Sequence, residues 1–242
     1  MHKAIIPLLY VLIFSVSNLF AGDKGVSHIV AGSAGYTFPI DSLGIPSINL
    51  ADGPVGVRIT PVLPNKPYTS YCTCFPSTTA LAATWNKDIA RLEGNAIGDE
   101  ALAYGVDIVL TPGINIMRNP LCGRNFEYFS EDPYLSGIMG AAMINGIQDK
   151  GIGASLKHFI ANNQQTGKLY NDARISQRAI REIYLKGFEI CIKNSDPWTV
   201  MGSYNKIGGQ YTQANPELLR TILRNEWNYN GLIVTDWYKK RD

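Results

Sequence analysis

Short β-rich apolar runs alternate with longer amphipathic stretches along the chain, and this alternation most restricts what it can fold into: an α/β domain with a parallel sheet. Strands are predicted at Ser47 to Leu50, Val106 to Leu110, Ala154 to Leu156, Thr199 to Met201 and Leu232 to Thr235. Helices are predicted between them at Lys87 to Tyr104, Tyr134 to Lys150, Ser176 to Asn194 and Pro216 to Glu226. In the third helix Ile180, Ile183, Tyr184, Gly187, Phe188 and Cys191 share one face, and Ser176 is placed to cap it. Asn215-Pro216 starts the fourth with an N-cap and a proline at the first helical position, where a missing N–H costs nothing. No repeat, linker or low-complexity segment divides the chain.

The residues that follow each strand are more informative than the strands. Leu50 leads to Asp52, Leu110 to Pro112 and Asn115, and Leu156 to Lys157 and His158, while Met201 leads to Tyr204 and Asn205, and Thr235 to Asp236 and Trp237. A β/α barrel gathers such positions at one mouth. An open doubly wound sheet also places its site at strand C-termini, so the pattern locates the site before it selects the fold.

Composition narrows the function. At 45% hydrophobic and 17% charged over 242 residues the chain is ordinary for one globular domain, which excludes disorder. A net charge of +2 with no Lys/Arg stripe argues against nucleic acid or acidic lipid as a partner. Three histidines and four cysteines, with neither HExxH nor paired CxxC spacing, give no reason to expect a zinc site, and no other metal is expected. Cys72, Cys74, Cys122 and Cys191 read as buried or incidental thiols rather than a disulfide framework. At the N-terminus Lys3 precedes the uncharged apolar run Ala4 to Phe20, followed by the small residues Ala21-Gly22. Residues 1–21 therefore read as an export signal, with a membrane anchor as the alternative, and the mature chain is expected in the periplasm or outside the cell.

Four segments carry candidate chemistry. Ile233 to Trp237 brings a carboxylate to the mouth beside an aromatic ring, which suits attack on an anomeric carbon with the indole against the sugar; an Asp capping the next helix is the alternative. Asp52 to Arg58 sets an acid and a fork-shaped cation around a glycine-bearing turn, either to bind hydroxyls or as a buried pair bracing the loop. Gly123 to Pro133 crowds charges and aromatics ahead of a helix, with Glu131 and Asp132 suited to the helix start and Arg124 the better ligand candidate. Lys157-His158 adds two donors at a strand end, with structural pairing as the alternative.

Taken together, LADGPVGVR (Leu50 to Arg58), FPSTTALAATWN (Phe75 to Asn86), NPLCGRNFEYFSEDPYLSG (Asn119 to Gly137), KHFIANNQQT (Lys157 to Thr166), ISQRAIREIYLKGFE (Ile175 to Glu189), PWTVMGSYNKIGG (Pro197 to Gly209) and LIVTDW (Leu232 to Trp237) resemble glycoside hydrolase family 3, of the β-glucosidase and β-xylosidase kind. The resemblance implies a partial TIM-like (β/α) barrel over residues 22–242, with parallel strands inside and helices outside, incomplete at its C-terminal end. It implies a retaining, metal- and cofactor-independent β-glycosidase acting on a small carbohydrate, a β-glucoside or β-xyloside, with Asp236 as nucleophile. Asp52, Arg58, Arg124, Lys157 and His158 match hydroxyl-binding positions; Met201, Tyr204 and Trp237 match the pocket wall and floor; Lys168 stands where the pattern often has Arg, losing a two-pronged contact. The branch acting on N-acetylglucosaminides carries a His-Asp pair in a loop like KHFPGHG. Here the stretch is KHFIANN, which points to the branch whose acid/base is a Glu in a later domain, absent from these residues. That domain or another subunit is then an expected partner. A silent sugar-binding fragment and an aldolase using Lys157 as a Schiff-base amine are the rival readings.

Overall fold

The computed structural model describes residues 34–59 and 70–237, so the leader and the last five residues lie outside the described part. In chain order the elements are β1 (Gly35–Tyr36), β2 (Asn49–Asp52), α1 (Thr78–Ala82), α2 (Lys87–Ala103), β3 (Ile108–Leu110), α3 (Pro133–Gln148), β4 (Gly153–Phe159), β5 (Asp172–Ala173), α4 (Gln177–Ala179), α5 (Lys186–Ser195), β6 (Thr199–Gly202), β7 (Lys206–Ile207), β8 (Gln210–Tyr211) and β9 (Leu232–Val234). The main sheet runs β1-β2-β3-β4-β6-β9. From β2 onward every pairing is parallel, which requires a crossover between each pair, and helical segments supply them. Within this sheet, among the described residues, only the edge strand β1 pairs antiparallel; β5, β7 and β8 form a separate small sheet in which β7 and β8 are antiparallel.

Side chains alternate across this sheet and build two cores. Ala51, Val109, Ala154, Leu156 and Val200 point toward the helices and join the larger cluster with Ile97, Met143, Ile144, Ile147 and Phe188. Leu50, Ile108, Leu110 and Met201 point the other way and form a smaller cluster with Val234 and Trp237 packed on it. A strand period of two makes one sequence serve both faces. Ser155 and Thr199, buried register partners, lie on the second face and bring hydroxyls into it.

Helix starts follow their caps. Asn86 Oδ1 accepts from Asp88 and Ile89 N at 2.9 and 3.3 Å and starts α2. Asp132 Oδ1 accepts from Tyr134 and Leu135 N at 2.6 and 2.9 Å, so this acid belongs to the helix start, as its position suggested. Helices α2 and α3 then approach closely because Gly94 and Gly146 meet backbone: a Cβ at Gly94 would sit 2.3 Å from Met143 O, and one at Gly146 2.2 Å from Arg91 O. The predicted single helix over Ser176 to Asn194 is a correction. Ser176 does cap it, accepting from Ala179 N at 3.2 Å, but α4 is followed by a π-helical turn, Ile180–Tyr184, before α5. The segment after Pro216 is also π-helical, Glu217–Glu226, with Asn215 Oδ1 accepting from Glu217 N at 2.9 Å.

One buried acid in this layer has no role in the site. Glu93 of α2 is 7% exposed, its Oε1 has no hydrogen-bond partner among the described residues, and burial pushes its carboxyl from 4.5 to about 7. A raised folded-state value means that the stability this group contributes is complete below 4.5 and is lost as pH rises through about 7. Replacing Glu93 with Gln should therefore raise the unfolding midpoint relative to wild type more at about pH 8 than at about pH 5. Urea unfolding at both values checks it, and an equal difference at the two would contradict it.

Candidate active site

The strands deliver their C-terminal ends to one face, and the chemistry gathers there. Asp236 stands two residues beyond Val234 of β9 and is 5% exposed. A hydrogen bond from Tyr204 reaches its carboxylate, while Oδ2 has no hydrogen-bond partner among the described residues and lies 4.0 Å from His158 Nε2. Burial raises the Asp236 pKa, and Tyr204, Arg124, Lys157 and Lys168 oppose that rise without cancelling it. The carboxylate is thus desolvated yet surrounded by groups that favour its charge. The adjacent Trp237 has φ of 41°, unusual for a residue other than glycine, and packs with Met201 on the inner cluster.

Lys157 and His158 lie inside β4, not after it as the sequence suggested, at the bulge between Leu156 and Phe159 that lets consecutive residues both serve the site. Both are fully buried. Asn115 clamps the His158 backbone, its Oδ1 accepting from His158 N at 3.0 Å and its Nδ2 donating to His158 O at 2.9 Å. Burial first, then the cations Arg124, Lys157 and Lys168, hold the imidazole pKa well below its ordinary range. His158 is therefore neutral at physiological pH, and its 4.0 Å approach to Asp236 is a polar contact between a neutral ring and a carboxylate, with no ion pairing.

Lys157 Nζ sits between two carboxylates, 3.9 Å from Asp52 Oδ1 and 3.8 Å from Glu127 Oε2. Burial lowers its pKa, and Glu127 and then Asp52 work against that. Asp52 closes β2 and is about one-third exposed, with Arg58 Nη1 3.8 Å from Oδ2. The alternative of a buried Asp52–Arg58 brace fails, because the Arg58 side chain is 78% exposed and stands at the rim. Arg124 donates from Nε to Glu127, and although burial alone lowers its pKa, Glu127, Tyr128 and Asp236 raise it overall. Lys168 holds its ammonium 4.5 Å over the Tyr204 ring, a cation–π contact that steadies the Asp236 hydrogen-bond donor.

A cleft of about 590 Å³ opens onto this cluster, lined by Asp52, Arg58, Arg124, Glu127 and Lys157, with Phe126 and Tyr71 among its apolar walls. Asp236 and His158 are not among the residues that line it. A second cavity, about 520 Å³ between β5, β7 and the π-helical segment, holds none of the candidate residues. The structure thus gathers Asp236, His158, Lys157, Asp52, Arg124, Lys168, Tyr204, Met201 and Trp237 and leaves Arg58 outermost. Sequence reasoning missed Glu127 and Tyr128. Nothing in an exposed-looking loop marks an acid that becomes 1% exposed. All four cysteines are free thiols.

Residues 66–241 match the model of the glycosyl hydrolase family 3 N-terminal domain. Among curated proteins the chain is 46% identical over 209 residues to thermostable β-glucosidase B of Acetivibrio thermocellus, covering 84% of this chain and 27% of that protein. It is 43% identical over 236 residues to an exo-α-(1→6)-L-arabinopyranosidase of Bifidobacterium longum, covering 94% of this chain and 30% of that protein. Among solved structures, β-glucosidase 3B of Thermotoga neapolitana in complex with glucose superposes with a TM-score of 0.87 at 49% identity, over 91% of this chain and 31% of the other. The chain spans under a third of the length of these relatives. The part-barrel fold that the resemblance implied is the fold found.

Proposed function

The chain belongs to glycoside hydrolase family 3, and from that premise we propose that it carries the sugar pocket and nucleophile of a retaining β-glycosidase acting on terminal β-linked glucose or a closely similar pyranose. The observation that supports this most is the Asp236 carboxylate, buried, with Oδ2 lacking a hydrogen-bond partner among the described residues and with Tyr204, Arg124, Lys157 and Lys168 acting on its charge. Asp236 attacks the anomeric carbon and forms a glycosyl ester while the glycosidic oxygen leaves with a proton; water then cleaves the ester and returns the free sugar with its original configuration. The proton comes from a Glu outside these residues, in keeping with the KHFIANN stretch. Neutral His158 and the cations Arg124 and Lys157 are suited to hold hydroxyls as positive charge develops on the ring, and the uncharged imidazole adds no further full charge. Asp236 must be ionised, so activity falls as pH drops through its raised pKa.

The Bifidobacterium relative supports a second reading of the sugar alone, an α-L-arabinopyranoside in place of a glucoside. Aryl glycosides with good leaving groups need little protonation and separate the choices. Release from the aryl β-D-glucoside, β-D-xyloside, α-L-arabinopyranoside and N-acetyl-β-D-glucosaminide should rank the last lowest. A preference for the N-acetylglucosaminide would overturn the substrate class, and binding of glucose without release from any of the four would favour a silent sugar-binding protein. The apolar leader supports action outside the cytoplasm; N-terminal sequencing of the secreted protein tests it.

A further inference from the structure

We infer that Glu127 is the positioning residue of this pocket: one buried carboxylate that aims both sugar-binding cations, Arg124 and Lys157. The inference rests on the proposed function and extends it to a residue outside the expected ligand set.

The Glu127 side chain is 2% exposed, a degree of burial that a carboxylate tolerates only when its charge is answered. Oε1 accepts from Arg124 Nε, and Oε2 faces Lys157 Nζ at 3.8 Å with no hydrogen-bond partner of its own among the described residues. The backbone carrying it is fixed from outside the site. Glu127 ends a 3₁₀ turn, Asn125–Glu127, whose carbonyls are held by α1: Thr78 Oγ1 donates to Phe126 O, and Thr79 Oγ1 to Asn125 O and Tyr128 O, each at 3.1 Å. A rigid turn thus places one acid between two cations that come from different parts of the chain. Among the described residues the other carboxylate within 4.0 Å of Lys157 Nζ is Asp52 at 3.9 Å, and that residue is about one-third exposed and free to engage a ligand. The charged and titratable groups around Lys157 are Glu127 and Arg124 of the loop, Asp52 of β2, Asp236 after β9 and the adjoining His158. Among these Glu127 contributes most to keeping the ammonium charged against burial.

Glu127→Gln keeps the shape and an acceptor for Arg124 and removes the charge. The probe is 2,4-dinitrophenyl 2-deoxy-2-fluoro-β-D-glucoside. Asp236 displaces dinitrophenolate from its C1, so the C1–O(aryl) bond breaks as the C1–O(Asp) bond forms, and no acid is required. The wild-type chain should be labelled. Glu127→Gln should be labelled ~30-fold more slowly or worse, and the alkaline limb of its pH profile should move about one unit downward as Lys157 loses its proton more easily. A purely architectural role would leave that limb in place. A folded Glu127→Gln chain with a wild-type limb and a rate within about twofold overturns the proposal. If circular dichroism shows that Glu127→Gln does not fold, Glu127→Asp decides: drawing the carboxylate back from Lys157 should slow labelling and move the alkaline limb downward, and a rate within about twofold with the wild-type limb overturns the proposal. No labelling of the wild-type chain would instead strike at the proposed function itself.

Discussion

Asp236→Asn is expected to cut release of dinitrophenolate from an activated aryl β-glucoside by ~10³ or more while leaving glucose affinity within about tenfold. The amide preserves the size of the side chain and still accepts from Tyr204, but it cannot form the glycosyl ester. Burial has already removed water from the wild-type carboxylate, so its attack needs little desolvation, and the same burial raises its pKa. The hydrogen bond from Tyr204 and the charges of Arg124, Lys157 and Lys168 work against that rise and favour the ionised form. The expected pattern is a loss in kcat with little change in binding, which separates a nucleophile from a ligand. A variant with near-normal turnover would remove Asp236 from the chemistry.

Asp52→Ala should weaken transition-state binding by about 2 to 5 kcal/mol, read as kcat/KM on the same substrate. Its two cation contacts, 3.9 Å to Lys157 and 3.8 Å to Arg58, are longer than hydrogen bonds, so its acceptor capacity is not used locally and can serve two neighbouring hydroxyls. Arg58→Ala should cost at most about 1 kcal/mol, because that side chain is mostly in water and an exposed ion pair contributes little. Equal losses in the two variants would contradict this division of roles between Asp52 and Arg58. Unchanged kcat/KM in Asp52→Ala would assign it no part in binding.

The strands and crossover helices were legible because their signals are local: short apolar runs, such as those around Val109 and Val200, separated by amphipathic stretches, and the helix starts at Ser176 and Asn215, whose side chains accept from backbone N–H groups as their positions suggested. The small sheet of β5, β7 and β8 was not, since each of its strands is two residues long and shows no period. The π-helical turn at Ile180–Tyr184 escaped for a related reason: the residue face it presents reads as ordinary helix, and only the packing reveals the extra residue in the turn. Within the site, residue types at strand ends pointed to Asp236, Lys157 and His158, and the family resemblance supplied their expected roles. Long-range burial was invisible. It sets the neutral state of His158 and the anchoring position of Glu127, and both depend on chains of contacts separated by tens of residues in sequence.

The central claim is that a glycosyl ester forms on Asp236, and its most direct test is peptide mapping after incubation with the fluorinated dinitrophenyl glucoside. One fluoroglucosyl group per chain is expected, carried by the peptide containing Asp236 and missing from Asp236→Asn. A label found instead on Asp52 or Glu127, or an aryl β-glucoside hydrolysed with α-glucose as the first product, would contradict it.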